Sequence, residues 1–157
     1  MEIWELLQSY INHHLLIAAG LGFLIGLERE IAGKDPSLRT FTLISLGACV
    51  FSLISAELAH QHADADPGRI AAQIVSGMGF LGAGVIFRGN NRVSGFTTAA
   101  LMWFTAGVGM AVGFDQIDLA VSATIIALVM TYLLKLVHYL IERVRGRPQA
   151  QQEDNNR

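Results

Sequence analysis

The sequence predicts an all-α protein, a polytopic bundle of about five transmembrane helices with little mass outside the bilayer. Three observations carry this. Of 157 residues, 52% are hydrophobic and only 15% charged, whereas a soluble domain carries about 25% charged residues and needs them for its polar shell. Long apolar runs recur along the whole chain, separated by short polar or turn-rich stretches. The basic residues, finally, fall almost entirely on alternate connections. A spanning helix uses about 20 apolar residues, so five of them leave no length for a folded aqueous domain of about 50 residues or more.

The first segment runs from Ile11 to Leu27 and stops at Glu28-Arg29-Glu30. Its dense apolar part, Leu15 to Leu27, is short, and Trp4 and Tyr10 are placed to anchor its outer end at the interface. The second segment covers Thr40 to Leu58. The third covers Ile70 to Phe87 and ends in the turn-rich linker Arg88-Gly89-Asn90-Asn91-Arg92. The fourth runs from Thr97 to Phe114, with Asp115 and Asp118 bracketing the connection to the fifth, Leu119 to Ile141. Residues 1–142 then form one transmembrane domain, and 143–157, rich in Gln, Asn and charge, form a disordered polar tail.

With an odd number of spans the two termini lie on opposite sides. One set of connections holds nine basic residues, Arg29, Lys34, Arg39, Arg88, Arg92, Arg143, Arg145, Arg147 and Arg157, and the other holds only Arg69. Positive charge stays in the cytoplasm, which places the N-terminus outside and the C-terminus inside. The opening Met-Glu-Ile-Trp-Glu has no basic n-region, so the first segment reads as part of the mature protein.

Several classes of chemistry are disfavoured. The single cysteine, Cys49, lies in an apolar run, forms no intrachain disulfide and reads as packing. Gly77-x-Gly79-x-x-Gly82 matches the letters of a dinucleotide fingerprint, but the strand, helix and aqueous βαβ unit that give it meaning are missing. There is no P-loop, no zinc pair and no nucleophile beside a base. The sequence therefore predicts neither an enzyme nor a nucleic-acid binder, and no cofactor or resident metal.

Small residues dominate the helices instead. Gly22 and Gly26 are spaced as GxxxG, as are Gly109 and Gly113, and such spacing lets backbones approach where lipid provides no hydrophobic drive. Gly77, Gly79, Gly82 and Gly84 spread around more than one helical face, which predicts a central third helix touched by several neighbours or a broken helix at a transport site. Gln73 and Ser76 share a face with Gly77, Phe80 and Gly84, and a glutamine in hydrocarbon needs partners, so that face is expected to point into the bundle.

At the predicted cytoplasmic ends, Glu28, Arg29 and Glu30 close one helix, Arg39 and Thr40 open the next, Arg88 closes the third, and Thr97 and Thr98 open the fourth. Interfacial anchoring with N-capping by Thr40 or Thr97 is one reading, and a convergent ion-pair layer or docking surface is the other. The fifth segment bears a polar stripe of Thr124, Thr131, Lys135, His138 and Glu142. Lys135 is close enough to the cytoplasmic end to snorkel, or is a functional group paired with Glu142 or Glu28. The outer loop His60-Gln-His62-Ala-Asp64-Ala-Asp66 reads as solvated rather than as a magnesium cage.

Gly26-Leu-Glu-Arg-Glu30, Arg39-Thr40 leading into a Leu-Gly-Ala segment, the stretch from Arg69 to Ile86, and Gly95-Phe-Thr-Thr-Ala-Ala100 with Trp103 and Gly107 together resemble the MgtC/SapB family of bacterial membrane proteins, over residues 16 to 140. The resemblance implies a multi-pass protein of the inner membrane tied to magnesium homeostasis and, in some pathogens, to survival inside host cells. It is similar to a short form of the family, since many members carry a soluble C-terminal domain where this sequence has a polar tail. The resemblance points to Glu28, Arg29, Arg39, Gln73, Thr97 and Thr98 as the motif residues that matter. Two functions follow: a regulator of other integral membrane proteins, acting alone or as a homo-oligomer, and a carrier or channel for magnesium or another ion. Every Asp and Glu falls in a loop or near a helix end, which favours the regulator.

Overall fold

The computed structural model describes residues 2–36, 38–62, 64–88 and 93–144. Residues 89–92 of the expected linker and 145–157 of the expected tail lie outside them, as do the side chains of Trp4 and Arg88. Five helices follow the apolar runs: α1 (Glu2–Ile31), α2 (Leu38–Gln61), α3 (Gly68–Gly84), α4 (Phe96–Gly113) and α5 (Ile117–Val144). Four are long and apolar enough to cross a membrane, α1 from Gln8 onward, α2, α4 and α5. The other, α3, has 17 residues, about 25 Å of helix and the lower limit for a span. Between α3 and α4, in place of a plain linker, β1 (Phe87–Arg88) and β2 (Val93–Ser94) pair antiparallel, Phe87 opposite Ser94. Two residues per strand are too few to show alternation in a sequence.

Residues 1–124 form one compact unit and those from Ile125 onward a second. In the first, α1 packs on α2 and α4, α2 on α4, and α3 mainly on α4. Glycine contacts define the directions. A Cβ on Gly22 would stand 2.7 Å from the Ser45 Cβ, and one on Gly26 would stand 2.6 Å from the Leu38 Cα, so α1 and α2 run antiparallel. Gly109 lies against the Ser45 carbonyl and Gly113 against Cys49 and Ser52, so α2 and α4 run parallel. A Cβ on Gly82 would stand 3.6 Å from the Ala99 Cβ of α4.

The core between these helices is built from Ala18, Leu21, Ile25, Phe41, Ala48, Cys49, Met102, Ala106 and Val112. Buried threonines bond within their own helices, Thr105 donating to Leu101 O at 2.7 Å and Thr124 to Ala120 O at 2.8 Å. Outward, the unit shows Leu16, Phe23, Leu24, Leu43, Phe51, Ile54 and Trp103. A continuous apolar exterior of this kind is matched to lipid, not to water.

The expectation that the glycine and glutamine face of α3 points into the bundle is corrected by its packing. Met78 and Gly82 turn inward, whereas Gln73, Ser76, Gly77, Phe80 and Gly84 are exposed. A Cβ on Gly77, Gly79 or Gly84 would meet nothing within 4 Å, so among the described residues of this unit these glycines do not sit at contacts between helices. In this unit α3 packs through Ile74 and Met78, which lie about 120° around the helix from its polar and glycine face.

In the second unit α5 continues from Ile125 to Val144. His138 Nε2 lies 3.1 Å from Glu142 Oε1, and the Lys135 ammonium stands 5.5 Å from the Tyr132 ring centroid.

Candidate functional site at one end of the bundle

The end of α1 is closed by a hydrogen-bonded reversal. Lys34 N–H donates to Arg29 O at 3.1 Å and Gly33 N–H to Glu30 O at 3.0 Å. Gly33 has φ +62°, a left-handed conformation that glycine adopts without the Cβ penalty. Gly26 lets the first turn of α2 rest on α1, so Arg39 is brought beside the same end. Because α4 runs parallel to α2, its first turn with Thr97 and Thr98 belongs to this end too.

Glu28 and Arg29 are each 4% exposed. The Arg29 Nε–H donates to Glu28 Oε2, and Nη2 crowds the same oxygen without hydrogen-bond geometry. Such a pair is costly to break from one side, because the charge left behind stays buried. Glu28 is the one buried carboxylate among the described residues. Thr98 is buried, while Glu30, Lys34, Arg39 and Thr97 are exposed. The end thus has an internal ion pair under an exposed polar rim. Thr97 does not cap α4: the N-cap is Gly95, with φ +95° and no side-chain bond, and its hydrogen faces the Val85 carbonyl, where a Cβ would collide.

The other sequence-derived positions lie elsewhere. Gln73 is on the exposed face of α3, and Lys135 belongs to the second unit. In the His60 to Asp66 loop, Asp66 Oδ1 accepts from Gly68 N–H at 2.8 Å, and among the described residues no three His, Cys, Asp or Glu groups come together as metal ligands.

Sequence reasoning missed a contact at the opposite end. His14, 1% exposed, bonds through Nδ1 to Tyr10 O at 2.8 Å, and its Nε2 lies 3.0 Å from Asp115 Oδ1. A carbonyl only accepts, so Nδ1 carries a proton. Asp115 has φ +61° and ends α4, its N–H donating to Val112 O at 3.0 Å and Gln116 N–H to Ala111 O at 2.7 Å. The available signal was helix parity, which puts the start of the first segment and the fourth connection at one membrane face.

The MgtC family profile matches residues 15–140. Protein MgtC of Salmonella typhimurium (strain LT2) is 47% identical over 135 residues, covering 86% of this chain and 56% of its own length. An uncharacterized protein of Haemophilus influenzae is 42% identical over 136 residues, covering 82% of this chain and 57% of its own. YhiD of Escherichia coli O157:H7 is 38% identical over 138 residues, covering 85% and 63%. The chain spans somewhat more than half the length of these curated relatives. No solved structure matches it.

Proposed function

The chain belongs to the MgtC family, and from that membership we propose that it is a regulator of magnesium homeostasis that acts on other integral membrane proteins rather than moving the ion itself. It is a multi-pass protein of the bacterial inner membrane. The single observation that carries the regulatory reading is the occupation of Glu28, the one buried carboxylate among the described residues, by Arg29. Magnesium gives up its water reluctantly and is held through carboxylates in octahedral geometry. A carrier would therefore have to break the Glu28–Arg29 pair at each passage. The exposed rim of Lys34, Arg39 and Thr97 is the surface we assign to the partner, at the cytoplasmic face by the distribution of basic residues.

Two measurements test this together. Purified protein in liposomes loaded with a magnesium-sensitive dye is expected to give no more flux than empty liposomes. Arg39→Ala, at an interfacial position where a charge is inexpensive to hold, is expected to accumulate normally yet fail to restore growth at low magnesium in a deletion strain. Saturable uptake that disappears with Gln73→Ala would overturn the regulator and establish the carrier.

A further inference from the structure

We propose that two copies of this chain pair through the exposed face of α3, along a seam of Gln73, Gly77, Phe80 and Gly84. The other outward faces of the first unit carry large apolar side chains suited to lipid, such as Leu16, Phe23 and Leu24 on α1 and Leu43, Phe51 and Ile54 on α2. The α3 face differs in kind. It presents a primary amide, a hydroxyl from Ser76, two glycines with open space beside them, and one aromatic ring, Phe80, at 83% exposure. Gln73 and Ser76 stand about 7 and 12 Å from the start of α3 by helical rise, within the length that crosses hydrocarbon. Lipid offers an amide no hydrogen-bond partner.

The occupant follows from the spacing. Gln73, Gly77, Phe80 and Gly84 are separated by four, three and four residues, the seam of two helices that supercoil left-handedly around one another. Two copies inserted in the same sense meet with α3 parallel to α3 about a two-fold axis along the membrane normal, and such an interface must complement itself. This one does. A glutamine amide both donates and accepts, so Gln73 satisfies Gln73 of a second copy. The Phe80 ring of each copy fills the notch that Gly77 and Gly84 leave on the other, as a knob enters its hole. An occupant of purely aliphatic chemistry would leave both amides unpaired. This pairing does not depend on the regulatory reading, since it concerns a different face.

Disulfide trapping in native membranes tests it. In a Cys49→Ser background, which leaves no other thiol, Gln73→Cys and Ser76→Cys are oxidised and compared with Gly79→Cys and Leu81→Cys. The latter positions are also exposed but lie roughly 100° around the helix from Phe80. The seam positions are expected to give at least tenfold more disulfide of twice the chain mass. Adding Phe80→Ala to Ser76→Cys should lower the yield about tenfold, without altering the melting of the detergent-solubilised monomer. Equal yields at seam and flanking positions would overturn the pairing. So would mixed disulfides with a different protein in place of the doubled chain, or a seam thiol shielded from both oxidant and maleimide in the monomer.

Discussion

Gly109→Ala is expected to weaken the bundle while Gly107→Ala, two residues away on the same helix, leaves it intact. A Cβ on Gly109 would run into the Ser45 carbonyl group and lie 2.9 Å from its Cα, all of it backbone that no rotamer change can move aside. A Cβ on Gly107 meets nothing within 4 Å. To regain ordinary contact with the Ser45 carbonyl oxygen, α2 and α4 must part by about 1–1.5 Å, which forfeits about half or more of the attraction of each atom pair across the seam. Over a patch equal to one leucine side chain, on the order of 50 pairs, the loss is about 3 kcal/mol, at the upper end of the ~1–3 kcal/mol that overpacking usually costs. Both variants gain up to about 1 kcal/mol of helix propensity, so the comparison cancels that term. The assay is thermal unfolding in dodecyl maltoside, followed by circular dichroism and by retention of a monodisperse elution peak. Gly109→Ala should melt about 5–10 °C below the parent, and Gly107→Ala should match or slightly exceed it. Equal melting of the two would show that the α2–α4 contact is not as close as Gly109 and Ser45 place it.

Three further outcomes are expected. Reporter fusions after Arg147 and at Asp64 should report cytoplasmic and external locations respectively, and a cytoplasmic signal at Asp64 would reverse the topology. Glu28→Leu should destabilise by about 3 kcal/mol because Arg29 loses its carboxylate, and Glu28→Leu with Arg29→Met should restore most of that in the same melts. If the double variant is no better than the single, the pair is not the relevant coupling. Asp115→Ala should cost about 2–3 kcal/mol, because the left-handed backbone is deprived of its side-chain support and buried His14 of its acceptor; Asp115→Asn, which suits that backbone and keeps an acceptor, should cost under about 1 kcal/mol.

The helices were legible because a bilayer imposes a length. The apolar runs from Thr40 to Leu58 and Thr97 to Phe114 correspond to α2 (Leu38–Gln61) and α4 (Phe96–Gly113), and α1 runs well past the expected Ile11 start, to Glu2. The direction of each face was not legible in the same way. In water a glycine and serine stripe would stand out against a hydrophobic core. In a membrane the interior and the surroundings are equally apolar, so Gln73 beside Gly77 and Gly84 does not by itself tell an inward face from an outward one. Reading that signal as an inward face put it inside the chain's own bundle, whereas the structure turns it outward. The buried ion pair was half legible, since Glu28 and Arg29 stand out as charges at a helix end, but nothing in their adjacency indicates burial. The contact between His14 and Asp115 joins residues 101 apart in sequence, beyond any local pattern.

These two contacts mark the two ends of the apolar stretch of α1. His14 and Glu28 are fourteen positions apart, about 21 Å along the helix, and the thirteen residues between them, Leu15 to Leu27, are all apolar or glycine. Sliding α1 by one turn in either direction would carry one buried polar group toward mid-membrane, where an ionisable side chain is costly, and would part His14 from Asp115, whereas Glu28 and Arg29 would move together. Across the same depth, α2 and α4 contribute Ser45, Ser52 and Thr105, whose hydroxyls are neutral and weak ligands for a hydrated divalent ion. A cation following α1 would therefore meet charge only at the two borders, and at Glu28 it would meet a carboxylate already held by Arg29. For that reason the growth defect and the flux assay are expected to separate: Arg39→Ala abolishes growth at low magnesium by altering a surface, while the parent protein gives no flux for that substitution to remove.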